Sequence, residues 1–153
     1  MVSTFERMTF QLIKAGEGFI GQVHYDSRGI PTLGCGLALI LWENGTYKIR
    51  ERVGYMKMDF FLQSVLNCDV EKVNNLLEND VNSLNDGEGH VSTSEQFGIN
   101  ITEEFFVEHI WGGEVGFYNS YLDSARNILN DVNPLIYPNI GDAQKAVVFS
   151  LTY

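Results

Sequence analysis

Three residues near the amino terminus carry side chains that could together cleave a glycosidic bond. Glu17, Asp26 and Thr32 lie in the stretch GEGFIGQVHYDSRGIPTLGCG, with eight residues between the first two and five between the last two. Hydrolysis of a glycosidic bond needs a protonated carboxyl beside the leaving oxygen and a second carboxylate that attacks or activates water. Glu17 and Asp26 could form that pair, and the Thr32 hydroxyl could share a water with Asp26.

The element before Glu17 would set the state of its carboxyl group. Residues 5–15 have helical spacing, with Ser3 or Thr4 as a plausible N-cap, and the predicted apolar stripe consists of Phe5, Met8, Leu12 and Ile13. The glycines on either side of Glu17 should end the helix there. Because carbonyl dipoles at a helix C-terminus disfavour a negative charge, we expect Glu17 to favour its protonated form in a partly desolvated corner.

The residues after Glu17 predict a small antiparallel sheet. Residues 21–40 have the pattern of a short hairpin or a three-stranded meander, and the Asn-Gly pair in ENGT at 43–46 predicts a further hairpin. Asp26 would lie in a polar turn and remain ionised. Gly34 and Gly36 would allow the backbone to approach a ligand closely, so they are candidate substrate-binding positions.

Helical spacing dominates the remainder of the chain. Residues 56–84 predict one broken helix or two short ones, interrupted near 67–69, and the polar segment 85–96 predicts a surface loop. A long helix should open at Thr102, with a bend or a close approach at its glycines, and a third should begin at Asp142. The pattern as a whole predicts an α+β fold.

The amino-terminal motif resembles that of bacteriophage-type lysozymes, the T-even and endolysin muramidase family. FQLIKAGEG, Tyr25-Asp26, Gly29 and TLGCG correspond in type and spacing to that family's helix ending in Glu-Gly, its Tyr before the Asp, its turn glycine and its Thr-x-Gly-x-Gly. Farther along, ITEEFF at 101–106 resembles the start of the family's inter-lobe helix. AVVFSLTY at 146–153 resembles its cleft-lining helix.

The resemblance implies a lysozyme-like fold and a muramidase activity. Glu17 would be the general acid that cleaves the bond from N-acetylmuramic acid to N-acetylglucosamine in peptidoglycan. Asp26 and Thr32 would orient the attacking water and give inversion at the anomeric carbon. Gly34, Gly36 and Tyr153 would face the substrate, and no cofactor or metal is implied.

The same resemblance predicts how the chain is organised. Residues 1–55 would form a helix and hairpin catalytic lobe, 56–100 a probable insertion, and 101–153 the inter-lobe helix and the start of a second helical lobe. The last segment ends on an apolar helix with no C-cap, so we expect a truncated lobe that a second chain or a further C-terminal segment completes. Whether an inhibitor or immunity protein binds the chain is left open by the sequence.

The acidic composition disfavours nucleic acid and anionic membranes as partners. The chain has 20 Asp and Glu residues against 10 scattered Lys and Arg residues, a formal net charge of −10, so no basic patch could neutralise a run of phosphates. The amino terminus MVSTFERMTFQLIK predicts neither a signal peptide nor a membrane anchor. Action on a cell wall, in the periplasm or outside the cell, would therefore need another delivery route.

Several other side chains are expected to have structural rather than catalytic roles, and two alternative functions are open. Cys35 and Cys68 have no metal-binding spacing and are expected to be small buried residues. His24 is expected at the surface, and Trp42 and Trp111 in the core or in lobe packing. A catalytically silent module that binds the wall or a partner, and a hydrolase of chitin or chitosan, remain open as alternatives.

Overall fold

The structure, a computed structural model, describes residues 2–119 and 121–122. In these residues one helix is followed by three small antiparallel sheets and then by further helices. The helices are α1 (Thr4–Glu17), α2 (Met58–Phe60), α3 (Val70–Asn85), α4 (Ser94–Phe97) and α5 (Glu103–Phe106). Two π-helical turns, Phe61–Val65 and Val107–Trp111, continue α2 and α5. The strands are β1 (Ile20–Tyr25), β2 (Pro31–Gly34), β3 (Leu37–Ala38), β4 (Ile40–Glu43), β5 (Thr46–Ile49), β6 (Arg52–Val53) and β7 (Met56–Lys57). The architecture is α+β, as predicted.

A capping box fixes the start of α1. The Glu6 amide donates to Ser3 Oγ at 3.1 Å and the Ser3 amide donates back to the Glu6 carboxylate at 3.2 Å, which satisfies two amides that the helix itself leaves unpaired. The helix ends at Glu17, with Gly18 as C-cap. Its buried face differs from the predicted stripe, because Phe10 is buried whereas Leu12 is 39% exposed.

The meander after α1 is three-stranded, with order β1-β2-β3 and antiparallel pairing throughout. The next hairpin, β4-β5, turns at Asn44 and Gly45, which have φ angles of 53° and 81°. Positive φ at both central residues matches the right-handed twist of the strands, which is why Asn-Gly is favoured there. Both sheet predictions are confirmed over these residues.

The predicted break between two helical segments is also confirmed. The π-helical turn after α2 ends at Val65, and α3 begins after Asp69, whose carboxylate accepts from the Lys72 amide at 3.1 Å. The predicted loop over 85–96 is too long, however. Thr93 and Gln96 form a capping box that starts the short helix α4 within it.

The prediction of a long helix from Thr102 is wrong beyond Trp111. The chain leaves the π-helical turn at Gly112 and reverses, so that the Phe117 amide donates to the Ile110 carbonyl at 2.9 Å. A side chain at Gly112 would collide with the Glu6 carboxylate of α1, so this glycine marks a close approach. The predicted helix residues beyond 122, the helix from Asp142 and Tyr153 lie outside the described residues.

The core of the described residues brings the amino-terminal half and the 56–100 segment together. Phe10 and Leu33 belong to the same buried cluster as Phe61, Val73 and Leu77. Trp111, which is fully buried, donates its indole N–H to the Glu6 carbonyl at 3.0 Å and to Thr9 Oγ1 at 3.2 Å. The segment after α5 is thereby tied to two successive turns of α1.

Two of the smaller expectations are partly wrong. Trp111 and Cys35 are buried as expected. Trp42, however, is 56% exposed, because it lies on the solvent side of the β4-β5 hairpin, edge-on to Tyr47 across the ladder. Cys68 is half-buried, and its thiol contacts the Leu62 carbonyl at 3.1 Å.

Within residues 2–119 and 121–122, none of the helices has the length and apolarity needed to cross a bilayer.

Substitution of the two tryptophans tests the role of the indole bond. Trp111→Phe should lower the free energy of unfolding by about 2–4 kcal/mol, because it removes a buried donor and leaves a gap in the core. Trp42→Phe, at an exposed site, should change it by no more than about 0.5 kcal/mol. Chemical denaturation followed by circular dichroism measures both; similar values for the two variants would contradict the role given to Trp111.

Candidate active-site cleft

The structure brings the five predicted site residues that it describes to one cleft. Glu17, Asp26, Thr32, Gly34 and Gly36 all line an open space of about 430 Å³ between the end of α1 and the β1-β2-β3 meander. The cleft is completed by residues that the sequence did not single out as site residues: Ile20, His24, Arg28, Ala38 and Tyr121. Tyr153 lies outside the described residues.

Glu17 stands at the very end of α1, with its side chain exposed to solvent. Its carboxylate makes no hydrogen bond or ion pair with any residue that the structure describes. Lys14, one turn earlier, pairs instead with Glu103 at 2.6 Å. The expected partly desolvated corner is therefore wrong for this exposed side chain, since the glycines on either side provide nothing to cover it. What the position does provide is an acid without a competing partner in the part of the chain that the structure describes.

Asp26 is held by the turn that it helps to form. Its Oδ1 accepts from the Arg28 amide at 2.8 Å and from the Ile30 amide at 3.0 Å, while its Oδ2 pairs with the Arg28 guanidinium at 3.2 Å. Partial burial alone would raise the pKa of Asp26, but these hydrogen bonds and the Arg28 charge outweigh it and hold the pKa below its ordinary value of 3.8. Asp26 therefore stays ionised, as the sequence predicted.

Thr32 is coupled to the same turn through Ile30. Its hydroxyl donates to the Ile30 carbonyl at 3.0 Å, while the Ile30 amide donates to Asp26. The side chain is only 6% exposed and lies opposite His24 in the β1-β2 ladder. Because a hydroxyl that donates can still accept, Thr32 has lone pairs available for a water molecule. That it shares one with Asp26 remains a prediction.

Position 34 requires glycine because the Phe106 ring packs against it beneath the cleft. It has a φ of 68°, and a side chain there would collide with the ring of Phe106 from α5. Only glycine meets both conditions, since other residues rarely adopt positive φ and none would fit over the ring. Gly36 also has positive φ, at 100°. The two glycines leave the backbone of this part of the cleft uncovered.

Two aromatic or imidazole groups in the cleft were not assigned to it from the sequence. His24 was expected at the surface, although it lies near the end of β1, two residues before Asp26. Tyr121 had no local signal, because it reaches the cleft only through the chain reversal after Trp111, with which it stacks at 6.5 Å. Burial raises the pKa of Tyr121, and Glu17 contributes to the increase. The nearby Arg50 guanidinium acts in the opposite direction and lowers the pKa.

No protein-family model, curated protein or solved structure matches this chain. The geometry of the cleft is therefore the guide to what the chain can do. Among the described residues, no three His, Cys, Asp or Glu side chains are grouped so as to hold a metal ion.

The depressed pKa of Asp26 predicts how stability depends on pH. The ionised form stabilises the fold, so this contribution is complete above the unfolded value of about 3.8 and is lost as pH falls through the lower folded value. Asp26→Asn keeps the acceptor for both amides but loses the charge, so it should be less stable than the wild type by about 1 kcal/mol at pH 6.

Urea unfolding of both proteins between pH 6 and pH 2.5 measures this difference. The difference in the free energy of unfolding between the two proteins should become smaller as the pH falls below 3.8, because the wild-type carboxylate then takes up a proton. A gap that stays constant or widens toward low pH would show that the Asp26 charge does not stabilise the turn.

Proposed function

We propose that the protein is a glycoside hydrolase with a lysozyme-like fold that cleaves the bond from N-acetylmuramic acid to N-acetylglucosamine in peptidoglycan. One observation carries the proposal: Glu17, whose carboxyl group has no hydrogen-bond or ion-pair partner among the described residues, lines the same cleft as an ionised carboxylate, Asp26, and the Thr32 hydroxyl. Glycosidic hydrolysis needs this division between a proton donor and an ionised group. The lysozyme-like motif in the sequence supports the same assignment.

Glu17 serves as the general acid in this mechanism. Its carboxyl group protonates the oxygen that leaves as the glycosidic bond breaks. Since Lys14 is paired with Glu103, no described cation competes for Glu17.

Asp26 and Thr32 position the water that attacks from the other side. The Asp26 carboxylate is fixed in orientation by two backbone amides, and its low pKa makes it a weak base. Its main contributions are therefore to orient the water and to stabilise the positive charge that develops on the sugar ring. Thr32, fixed through the Ile30 carbonyl, accepts a hydrogen bond from the same water. Attack by water rather than by the carboxylate gives inversion.

Replacement of Glu17 tests the proposal directly. Glu17→Gln should reduce the release of reducing ends from purified peptidoglycan by at least about 10²-fold, because the general acid is lost, with stability unchanged because the side chain is exposed. Glu78→Gln, at an exposed position on α3, is the matched control and should keep full activity. A Glu17→Gln protein that hydrolyses at the control rate would refute the assignment.

The same assay separates the other two functions. A silent wall-binding module would sediment with peptidoglycan and release no reducing ends from it. A chitinase or chitosanase would release products from N-acetylglucosamine or glucosamine oligomers in parallel digests while leaving peptidoglycan intact. Either result would replace the muramidase proposal.

A further inference from the structure

A second groove, of about 440 Å³, has three cations in its lining. Arg50, Arg52 and Lys57 line it together with Glu51, Asp59 and Asn74. The three cations lie within eight consecutive positions of the sequence, and the short β6-β7 ladder places two of them, Arg52 and Lys57, opposite each other. The groove is open to solvent.

The β6-β7 ladder sets two like charges against each other. Arg52 and Lys57 are direct partners in this antiparallel pair, and both are exposed. Like charges directly opposite in such a pair destabilise it. The chain could have avoided this cost easily, since its acidic residues outnumber its basic ones by 20 to 10. A bound anion between the two side chains would turn the repulsion into attraction.

The carboxylates in the groove do not neutralise these cations. Asp59 accepts a hydrogen bond from the Asn74 amide at 2.9 Å, and Glu51 lies 3.9 Å from Lys48. Within the described part of the chain, no carboxylate comes within ion-pair distance of Arg50, Arg52 or Lys57. By contrast, Arg7, Lys14, Arg28 and Lys48 all have such partners.

Arg50 connects this groove with the candidate active-site cleft. Its Nε donates to the carbonyl of Ala38, a residue of the cleft, at 2.7 Å, and its Nη1 donates to the Arg52 carbonyl at 3.3 Å. Its guanidinium also lies over the Phe117 ring, 5.5 Å from the centroid. Arg50 is thereby fixed, and its Nη2 makes no hydrogen bond with a described residue. A rigid guanidinium with an available N–H pair is well suited to a carboxylate.

We propose that this groove binds carboxylate groups of the peptide stems on the glycan strand whose sugars occupy the cleft. The inference rests on the proposed function, because it takes the strand as substrate. The proposal also gives a reason for selectivity. A protein with a net charge of −10 gains no long-range attraction to an acidic polymer. The attraction would therefore have to come from local cations next to the cleft. Arg52 and Lys57 contact the carboxylate from the two strands, and Arg50 fixes its position relative to the cleft.

Calorimetric binding to the inactive Glu17→Gln protein tests the groove. The probes are a tetrasaccharide of alternating N-acetylglucosamine and N-acetylmuramic acid with intact peptide stems, and the same glycan after an amidase has removed the stems. We expect the stem-bearing glycan to bind more tightly, with a preference that declines at high salt. Adding Lys57→Gln or Arg52→Gln should reduce that preference about two- to fivefold, as is typical of an exposed charge pair.

Matched variants and a free anion complete the test. Lys57→Arg keeps the charge, so it should keep the preference that Lys57→Gln loses. The control is Lys72→Gln, which should leave the preference intact. Lys72 is an exposed lysine on α3 that also lacks an ion pair among the described residues. Sodium acetate should compete with the stem-bearing glycan if the charge alone is recognised, whereas competition only by the released stem peptide would show that the peptide is recognised too.

The proposal and the enzymatic function fail separately. If the wild type hydrolyses the stripped glycan but the inactive protein binds both glycans equally, the groove proposal alone is overturned. The same holds if Lys57→Gln and Arg52→Gln keep the stem preference as Lys72→Gln does. If neither glycan is bound or cut, both proposals fall.

Discussion

The placement of the cleft depends on the buried indole of Trp111. Its N–H reaches the Glu6 carbonyl and Thr9 Oγ1 on successive turns of α1, and its ring stacks on Tyr121 of the cleft. One side chain thereby fixes both the helix that ends in Glu17 and an aromatic that lines the site. Because a buried donor without its acceptor is costly, the indole permits little rotation of α1. The Glu17 carboxyl group lies at the end of this anchored helix, although it is not itself buried.

Asp26 combines a structural role with a proposed chemical one in the same cleft. The hydrogen bonds that close the β1-β2 turn also hold its pKa down. The fold therefore produces two carboxyl groups with different surroundings: Glu17 has no partner among the described residues, and Asp26 has three donors. That difference arises from a helix end and a tight turn, both within the first 36 residues of the chain, and it is the chemical basis of the proposed acid and water-positioning roles.

Local interactions decided which features could be predicted from the sequence. The Ser3 cap, the Asn44-Gly45 turn and the break before α3 were predictable, because each depends on side chains within a few residues of one another. The end of the helix at Trp111 was not, because the contacts found there join distant parts of the chain: Gly112 lies against Glu6, and the Trp111 indole bonds to Glu6 and Thr9. Tyr121 was missed because it reaches the cleft only through the chain reversal after Trp111. The pairing of Arg52 with Lys57 was missed because the β6-β7 strands were not predicted.

The anomeric form of the first product is the sharpest test of the roles proposed for Asp26 and Thr32. Proton NMR recorded during digestion of peptidoglycan reports which anomer of N-acetylmuramic acid appears at the new reducing end before mutarotation. If Asp26 and Thr32 direct water to the face opposite Glu17, cleavage of the β-linkage yields the α-anomer first. The β-anomer first, or no new reducing end, would contradict this account of the cleft.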